Sequence, residues 1–259
     1  MINISEIVSK KSIIVFMKIF IADNYAKMSK QAADDVIDMM QSRSQPVICA
    51  ASGHSPEGLY KEIIDRVRKK EVSVDNWRFV GLDEWVGMNA VDQGSCRHHL
   101  DLELLGPLQV PKDRICFFDG RANDLEAECE RIEKFIHEHG GIDVAILGLG
   151  MNGHIGMNEP GVSLRLRSHV IDLHPVTKTV GQKYFKEEKE LERGITLGIA
   201  TLLEASNLVV VVSGTHKAEI TQEMIEGKIS ADVPATLLRN HSALKIYLDS
   251  DAASKIVAP

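Results

Sequence analysis

The chain lacks the features of a secreted, fibrous or membrane-embedded protein. Its 259 residues hold four cysteines, Cys49, Cys96, Cys116 and Cys129, placed too irregularly for a dense disulfide framework or a paired metal-ligand motif. A reducing cytoplasm fits them. Nineteen glycines and eight prolines are too few for a collagenous or low-complexity chain, and a hydrophobic share of 44% excludes disorder. The early apolar stretch 12–22 is interrupted by Lys18, is too short to span a bilayer and lacks a small-residue cleavage site, so no membrane partner or export is expected. Positive charge is in deficit as well. Thirty Lys and Arg face 37 Asp and Glu, a formal charge of −7, which argues against a nucleic-acid partner and requires any phosphate to be bound locally.

What the chain does contain, from Met17 onward, is an alternation of short β-branched runs with helical patterns, the mark of an α/β fold with a parallel sheet wrapped by helices. Strands are expected at 17–22, 46–51, 77–82, 114–118, 142–148, 207–213 and 243–248. Met28, Ala32, Val36 and Met39 recur at helical spacing, as do Leu125, Cys129, Ile132 and Ile136 before a stop at Gly140 and Gly141, and both stripes read as core. No internal repeat or linker divides the chain. One domain over 17–259 is expected, with 1–16 as an N-terminal extension outside the fold. The region 149–195 breaks the alternation, with Gly, Asn and Pro early and a polar helical stretch near 176–190, and suits a lid or one wall of a site.

Loops beyond the carboxyl ends of parallel strands are where ligands bind, so the segments that follow strands should converge. The first, Ser52-Gly53-His54-Ser55, leads into a helix expected to begin near Pro56. Its free amides, hydroxyls and helix dipole would cradle an anion, and the alternative is a plain helix start with Ser55 as N-cap. The second places Asp83 and Glu84 at the end of an apolar strand. Neighbours on an extended segment point oppositely, so one carboxylate can face the cleft as a general base while the other makes structural bonds. An acidic turn start is the alternative. The third carries Gly148, Gly150 and Gly153 in a literal G-x-G-x-x-G, with Asp172 about 20 residues on. Gly156, Asn158 and Pro160 interrupt any helix that would have to follow, so a dinucleotide site is rejected. The same loop frames His154 with Asn152 and Glu159, and a histidine held by an acceptor has the fixed tautomer that proton transfer requires. A fourth segment brings Lys217 into a first helical turn, where a cation is disfavoured unless an anion shares the site. His98 and His99 have no third ligand spaced for zinc, so no metal is assigned.

Leu-Asp-Glu-Trp-Val at 82–86, Leu-Gly-Leu-Gly-Met-Asn-Gly-His-Ile-Gly-Met-Asn-Glu-Pro-Gly at 147–161 and Gly-Ile-Thr-Leu-Gly at 194–198 resemble the amino-sugar-phosphate deaminase/isomerase family. The likeness runs from about Met17 to the C-terminus and is nearest the galactosamine-6-phosphate isomerases, which share Asp-Glu-Trp where the glucosamine enzymes usually read Asp-Glu-Tyr. It implies a modified Rossmann-type parallel-sheet sandwich with a lid-like helical insertion. The implied activity is conversion, without metal or cofactor, of an amino-sugar 6-phosphate to a ketose 6-phosphate and ammonia. Galactosamine-6-phosphate is the first substrate expected and glucosamine-6-phosphate the alternative.

By the same resemblance Asp83 moves a proton between carbons 2 and 1, His154 opens the ring and Glu159 orients it. Ser52, Gly53, Ser55 and Lys217 match phosphate-binding positions, His54 lies within that loop, and Lys183 falls near a substrate-facing arginine. Asn152 stands where the glucosamine enzymes have Asp, and is expected to hydrogen-bond near His154 without adding charge. His169 and Ile171 replace the basic residues those enzymes use for allosteric control. A 6-phosphogluconolactonase is disfavoured by Glu159, and a non-catalytic sugar-phosphate sensor by the presence of both Asp83 and His154. Relatives include monomers and hexamers, so a homo-oligomer is allowed.

Overall fold

A computed structural model describes residues 17–257; the expected extension 1–16 lies outside the described residues. In chain order the elements are β1 (Lys18–Ala22), α1 (Tyr25–Met40), β2 (Val47–Ala50), α2 (His54–Arg68), β3 (Arg78–Gly81), β4 (Asp83–Trp85), α3 (Cys96–Leu100), β5 (Ile115–Cys116) and α4 (Leu125–Glu138). The second half adds β6 (Val144–Leu147), β7 (His169–Asp172), α5 (Pro175–Gly181), β8 (Arg193–Thr196), α6 (Ile199–Leu203), β9 (Asn207–Val212), α7 (Ala218–Glu226) and β10 (Leu244–Asp249). Each of the seven expected strands is present, and together they make one parallel sheet in the order β1-β10-β9-β6-β2-β3-β5.

The sheet is covered on both faces because its strands are apolar on both, as parallel strands are. Val47 and Cys49 of β2 join a core with Ile132 and Ile136 of α4, Leu202 of α6 and Met224 of α7. Ile48 and Ala50 face the other way, into a core with Val36 of α1 and Leu59 of α2. Local signals set the helix limits. The Asn24 side chain caps α1 by accepting from the Lys27 amide, and Asp124 caps α4 by accepting from the amides of Glu126 and Ala127. The expected stop after α4 is formed by Gly140 and Gly141 at φ of 81° and 95°, with the Gly141 amide donating back to the Ile136 carbonyl.

The insertion differs from its expectation as an essentially helical lid. It supplies β7 and β8, which pair with β4 from outside it in a three-stranded antiparallel sheet, β4-β8-β7, and the expected helical stretch near 176–190 reduces to α5 and a single 3-10 turn over Gln182–Tyr184. Its core is Trp85 with Cys96, Met157, Leu173 and Leu191. Gly181 lets α5 close on it, since a Cβ there would lie 2.8 Å from Leu191 and 3.0 Å from Trp85. The chain leaves the large sheet after Gly81 and enters the small one at Asp83, paired with Thr196. Asp83 therefore sits at the junction of the two sheets.

Candidate active site

The loops after β9, β6, β2 and β3 leave four adjacent central strands at their carboxyl ends, and they enclose one cavity of about 540 Å³. Ser52, Asp83, His154, Thr177, Lys183 and Lys217 all line it.

At one end is the loop after β2. Helix α2 begins at His54, two residues before the expected Pro56, because Gly53 takes the N-cap position at φ 110°. Ser55 is therefore inside the first turn and caps nothing; its hydroxyl lies 3.4 Å from that of Ser213. With glycine at the N-cap no side chain occupies the first-turn amides, and the helix terminus is left to serve an anion. The His54 ring turns to the cavity mouth, where it pairs with Glu57 at 3.0 Å and is 77% exposed. Its backbone, rather than its ring, belongs to the helix terminus.

Lys217 ends a 3-10 turn over Thr215–Lys217 that leads into α7, and its Nζ donates to the Leu149 carbonyl at 2.5 Å. Burial, and then the charge of Lys183, lower its pKa to about 8. Two cations thus face one cavity against a solvation cost that a bound anion would offset. Lys183 lies over the Tyr184 ring, 4.9 Å from its centroid, and Tyr184 stands directly on the anion loop, 3.3 Å from where a Cβ on Gly53 would be.

At the other end, β4 separates its two carboxylates as strand geometry requires. Asp83 lines the cavity, 8% exposed, and burial raises its pKa to about 6 against the lowering effects of the Cys96 thiol and His154. Glu84 points away, fully buried, and accepts from the backbone amides of Trp85, Cys96 and Arg97 at 2.9, 2.9 and 3.0 Å. Burial raises its pKa, while three donors that cannot take up a proton favour its charged form.

His154 is held on its Nδ1 side, 3.0 Å from the Thr177 hydroxyl and 3.6 Å from the Glu159 carboxylate. Its ring lies flat on Gly150, where a Cβ would fall 2.3–2.5 Å from three ring atoms. That contact is the physical reason for glycine at 150, and no helix follows the G-x-G-x-x-G segment before α5.

Glu159 is 3% exposed and accepts from Asn152 Nδ2 at 3.0 Å and from the His174 amide at 3.2 Å. Burial opposes its charge, but bonds from His154, Thr177 and Asn152 outweigh burial and hold its pKa at about 2. Asn152 does not reach the His154 ring. Its Oδ1 accepts from the His154 backbone amide at 3.2 Å, and its side chain acts on Glu159 instead. Neither Asn152 nor Glu159 lines the cavity, so both stand behind His154.

Thr177 and Tyr184 also line this cavity and went unread in the sequence, and Cys96 and His99, weighed there only as disulfide or metal ligands, line it as well. Thr177 and Tyr184 come from the insertion, whose short elements carry no clear periodicity. Cys96 and His99 carry one usable signal, a spacing of three that places both on one helix face.

The family described as glucosamine-6-phosphate isomerases/6-phosphogluconolactonase matches residues 22–247. Glucosamine-6-phosphate deaminase of Geobacillus sp. (strain WCH70) is 36% identical over 241 residues, 93% of this chain and 96% of that protein. The enzyme of the same name from Bacillus velezensis is 33% identical, over 92% and 99% of the two chains. A solved monomeric glucosamine-6-phosphate deaminase superposes with a TM-score of 0.88 at 33% identity, covering 92% of this chain and 99% of that one. The 6-phosphogluconolactonase of Thermotoga maritima shares the fold, with a TM-score of 0.72 at 16% identity, over 90% and 99% of the two chains.

Proposed function

The chain belongs to the glucosamine-6-phosphate isomerase/6-phosphogluconolactonase family, and we propose that it deaminates glucosamine-6-phosphate to fructose-6-phosphate and ammonia. The reading rests on one observation. A buried carboxylate of raised pKa and a histidine fixed on one side by a hydroxyl and a carboxylate share a cavity with two cations and an uncapped helix terminus.

The phosphate binds to the first-turn amides of α2, the hydroxyls of Ser52 and Ser55, and Lys217, with Lys183 closing from the insertion. That anchor fixes the sugar and makes the later steps effectively unimolecular. His154 takes the proton of the anomeric hydroxyl and delivers one to the ring oxygen, giving the open-chain amino aldehyde. Asp83 removes the carbon 2 proton, the electron pair moves toward the carbon 1 carbonyl, whose oxygen takes up a proton to give an enolamine, and a proton returned to carbon 1 leaves an imine at carbon 2. Water adds to the imine, ammonia leaves and the 2-ketose phosphate remains. A carboxylate of pKa about 6 is ionised at neutral pH yet more basic than an ordinary one, which suits proton abstraction. Glu159 and Thr177 keep the His154 ring in place, Asn152 acts through Glu159, and of the three only Thr177 lines the cavity.

Galactosamine-6-phosphate is the second reading, favoured by Trp85 and Asn152, the two positions at which the chain resembles galactosamine enzymes. The test is ammonia release by purified protein from glucosamine-, galactosamine- and mannosamine-6-phosphate, with 6-phosphogluconolactone as a control. Release from the gluco epimer above the others supports the proposal. A galacto preference would transfer it to the second reading, and lactone hydrolysis without ammonia release would defeat both.

A further inference from the structure

The 3-10 turn over Gln182–Tyr184 brings the insertion onto the anion loop, and it is fixed on both flanks. On one side the Gln182 side chain donates to the Lys189 carbonyl at 2.7 Å and accepts from the Lys189 amide at 3.0 Å, which ties the turn to the chain that follows it. On the other, Phe185 meets Trp85 edge-on, 6.3 Å between ring centroids, and fills the space a Cβ on Gly94 would take, 2.5 Å from two of its ring atoms. Lys183 and Tyr184, the two residues between these anchors, line the cavity.

The Tyr184 ring is held by its neighbours. His99 meets it edge-on at 6.1 Å between centroids, and the Lys183 ammonium lies over it at 4.9 Å. The hydroxyl at its tip is free. Among the described residues it has no hydrogen-bond partner, and it is not sealed from solvent, so it opens on the cavity that the residue lines. It stands 3.3 Å from the place of a Cβ on Gly53, the residue at the N-cap of α2, and so lies on the helix terminus that no side chain caps. Burial first, and then the neighbouring Cys96, Asp83 and Glu57, raise its pKa, so the hydroxyl keeps its proton and is available as a donor. A neutral donor suits this place. Lys183 already depresses Lys217, and a third cation would add to that repulsion where a hydroxyl adds none.

We propose that the Tyr184 hydroxyl donates a hydrogen bond to the substrate's phosphate and completes the anion site from the side of the insertion; this rests on the amino-sugar-phosphate reading of the cavity. The test uses Tyr184→Phe, which removes the hydroxyl and keeps the ring against His99 and Lys183. It measures inorganic phosphate binding by calorimetry, and kcat and KM for glucosamine-6-phosphate, in wild type and variant. A bond to a charged acceptor is strong enough that the Kd of phosphate should rise by about tenfold or more and KM with it, while kcat falls by under about threefold. Without phosphate the two proteins should melt together, because the hydroxyl bonds nothing in the free chain, and added phosphate should raise the Tm of wild type further than that of the variant. An unchanged phosphate Kd would overturn the assignment, and a rise in KM alone would put the hydroxyl on the sugar instead. A variant that melts well below wild type without phosphate would make the hydroxyl structural and overturn it as well. Failure of the underlying reading is distinguishable: wild type would then release no ammonia from any amino-sugar phosphate, whereas failure of this assignment leaves that activity in place.

Discussion

The two ends of the cavity hold buried charge in opposite ways. At the anion end Lys217 is depressed to about 8 by burial and by Lys183, and its bond is to a neutral carbonyl. At the chemical end the acidic groups divide. Glu159 is surrounded by partners and held at about 2, whereas Asp83 is left poorly compensated at about 6. Charge that positions is satisfied by the protein, and charge that meets substrate is left for substrate to satisfy. The adjacent Asp83 and Glu84 divide by geometry alone: strand alternation sends one to the cavity and the other to three amides, and burial raises the pKa of Glu84 too, to about 7.

The sharpest way to break this comparison is Asp83→Asn. Loss of a general base should lower kcat by about 10²–10⁴. Because a buried, poorly compensated carboxylate costs stability at neutral pH, the same variant should melt no lower than wild type at pH 7, by an amount on the order of 0–3 kcal/mol in its favour. A large fall in Tm together with the fall in rate would place Asp83 with the structural charges. Next is Lys217→Ala, which removes a charge-assisted bond to phosphate and should raise KM by about 10–100-fold with a smaller effect on kcat. Inorganic phosphate should compete with substrate in wild type and lose that effect in the variant.

The pH profile carries the comparison in a single experiment. Asp83 acts as its anion, and its pKa is raised, so kcat/KM should fall as pH drops through about 6. Lys217 acts as its cation, and its pKa is lowered, so substrate affinity should fall as pH rises through about 8. In Lys217→Ala the alkaline fall should disappear while the acidic one stays.

The large sheet was legible in the sequence because each of its strands is apolar on both faces and is bounded by a loop or a capped helix. The small sheet was not. Its strands, Asp83–Trp85, His169–Asp172 and Arg193–Thr196, carry no apolar run longer than two residues, and their pairing is fixed by distant contacts such as Asp83 with Thr196. For the site, the position of Asp83 with Glu84 turned away followed from alternation, and a helix after the loop at 52–55 followed from its residue types, although it starts at His54 and not near Pro56. Thr177 was invisible because its partner, His154, is 23 residues earlier and meets it through α5 alone. Asn152 was read as a neighbour of the His154 ring, as sequence proximity suggests, yet the turn points its side chain at Glu159.

That correction makes the smallest prediction. Asn152→Asp would set a second carboxylate against Glu159 rather than against the imidazole, and like charges there raise the pKa of one partner. The expected change in kcat is under about tenfold and should vanish in a Glu159→Gln background, since residues acting through one another are not additive. An undiminished effect in that background would return Asn152 to direct action on His154.

The central claim is that Asp83 moves the carbon 2 proton of an amino-sugar 6-phosphate held by the anion end of the cavity. Its most direct test is deuterium entry at carbon 2 of glucosamine-6-phosphate in D2O, followed by proton NMR with wild type and Asp83→Asn. The account predicts exchange catalysed by wild type, with ammonia release, and none above background in the folded variant that still binds phosphate. Exchange by Asp83→Asn at the wild-type rate, or turnover by wild type without loss of the carbon 2 proton, would contradict it.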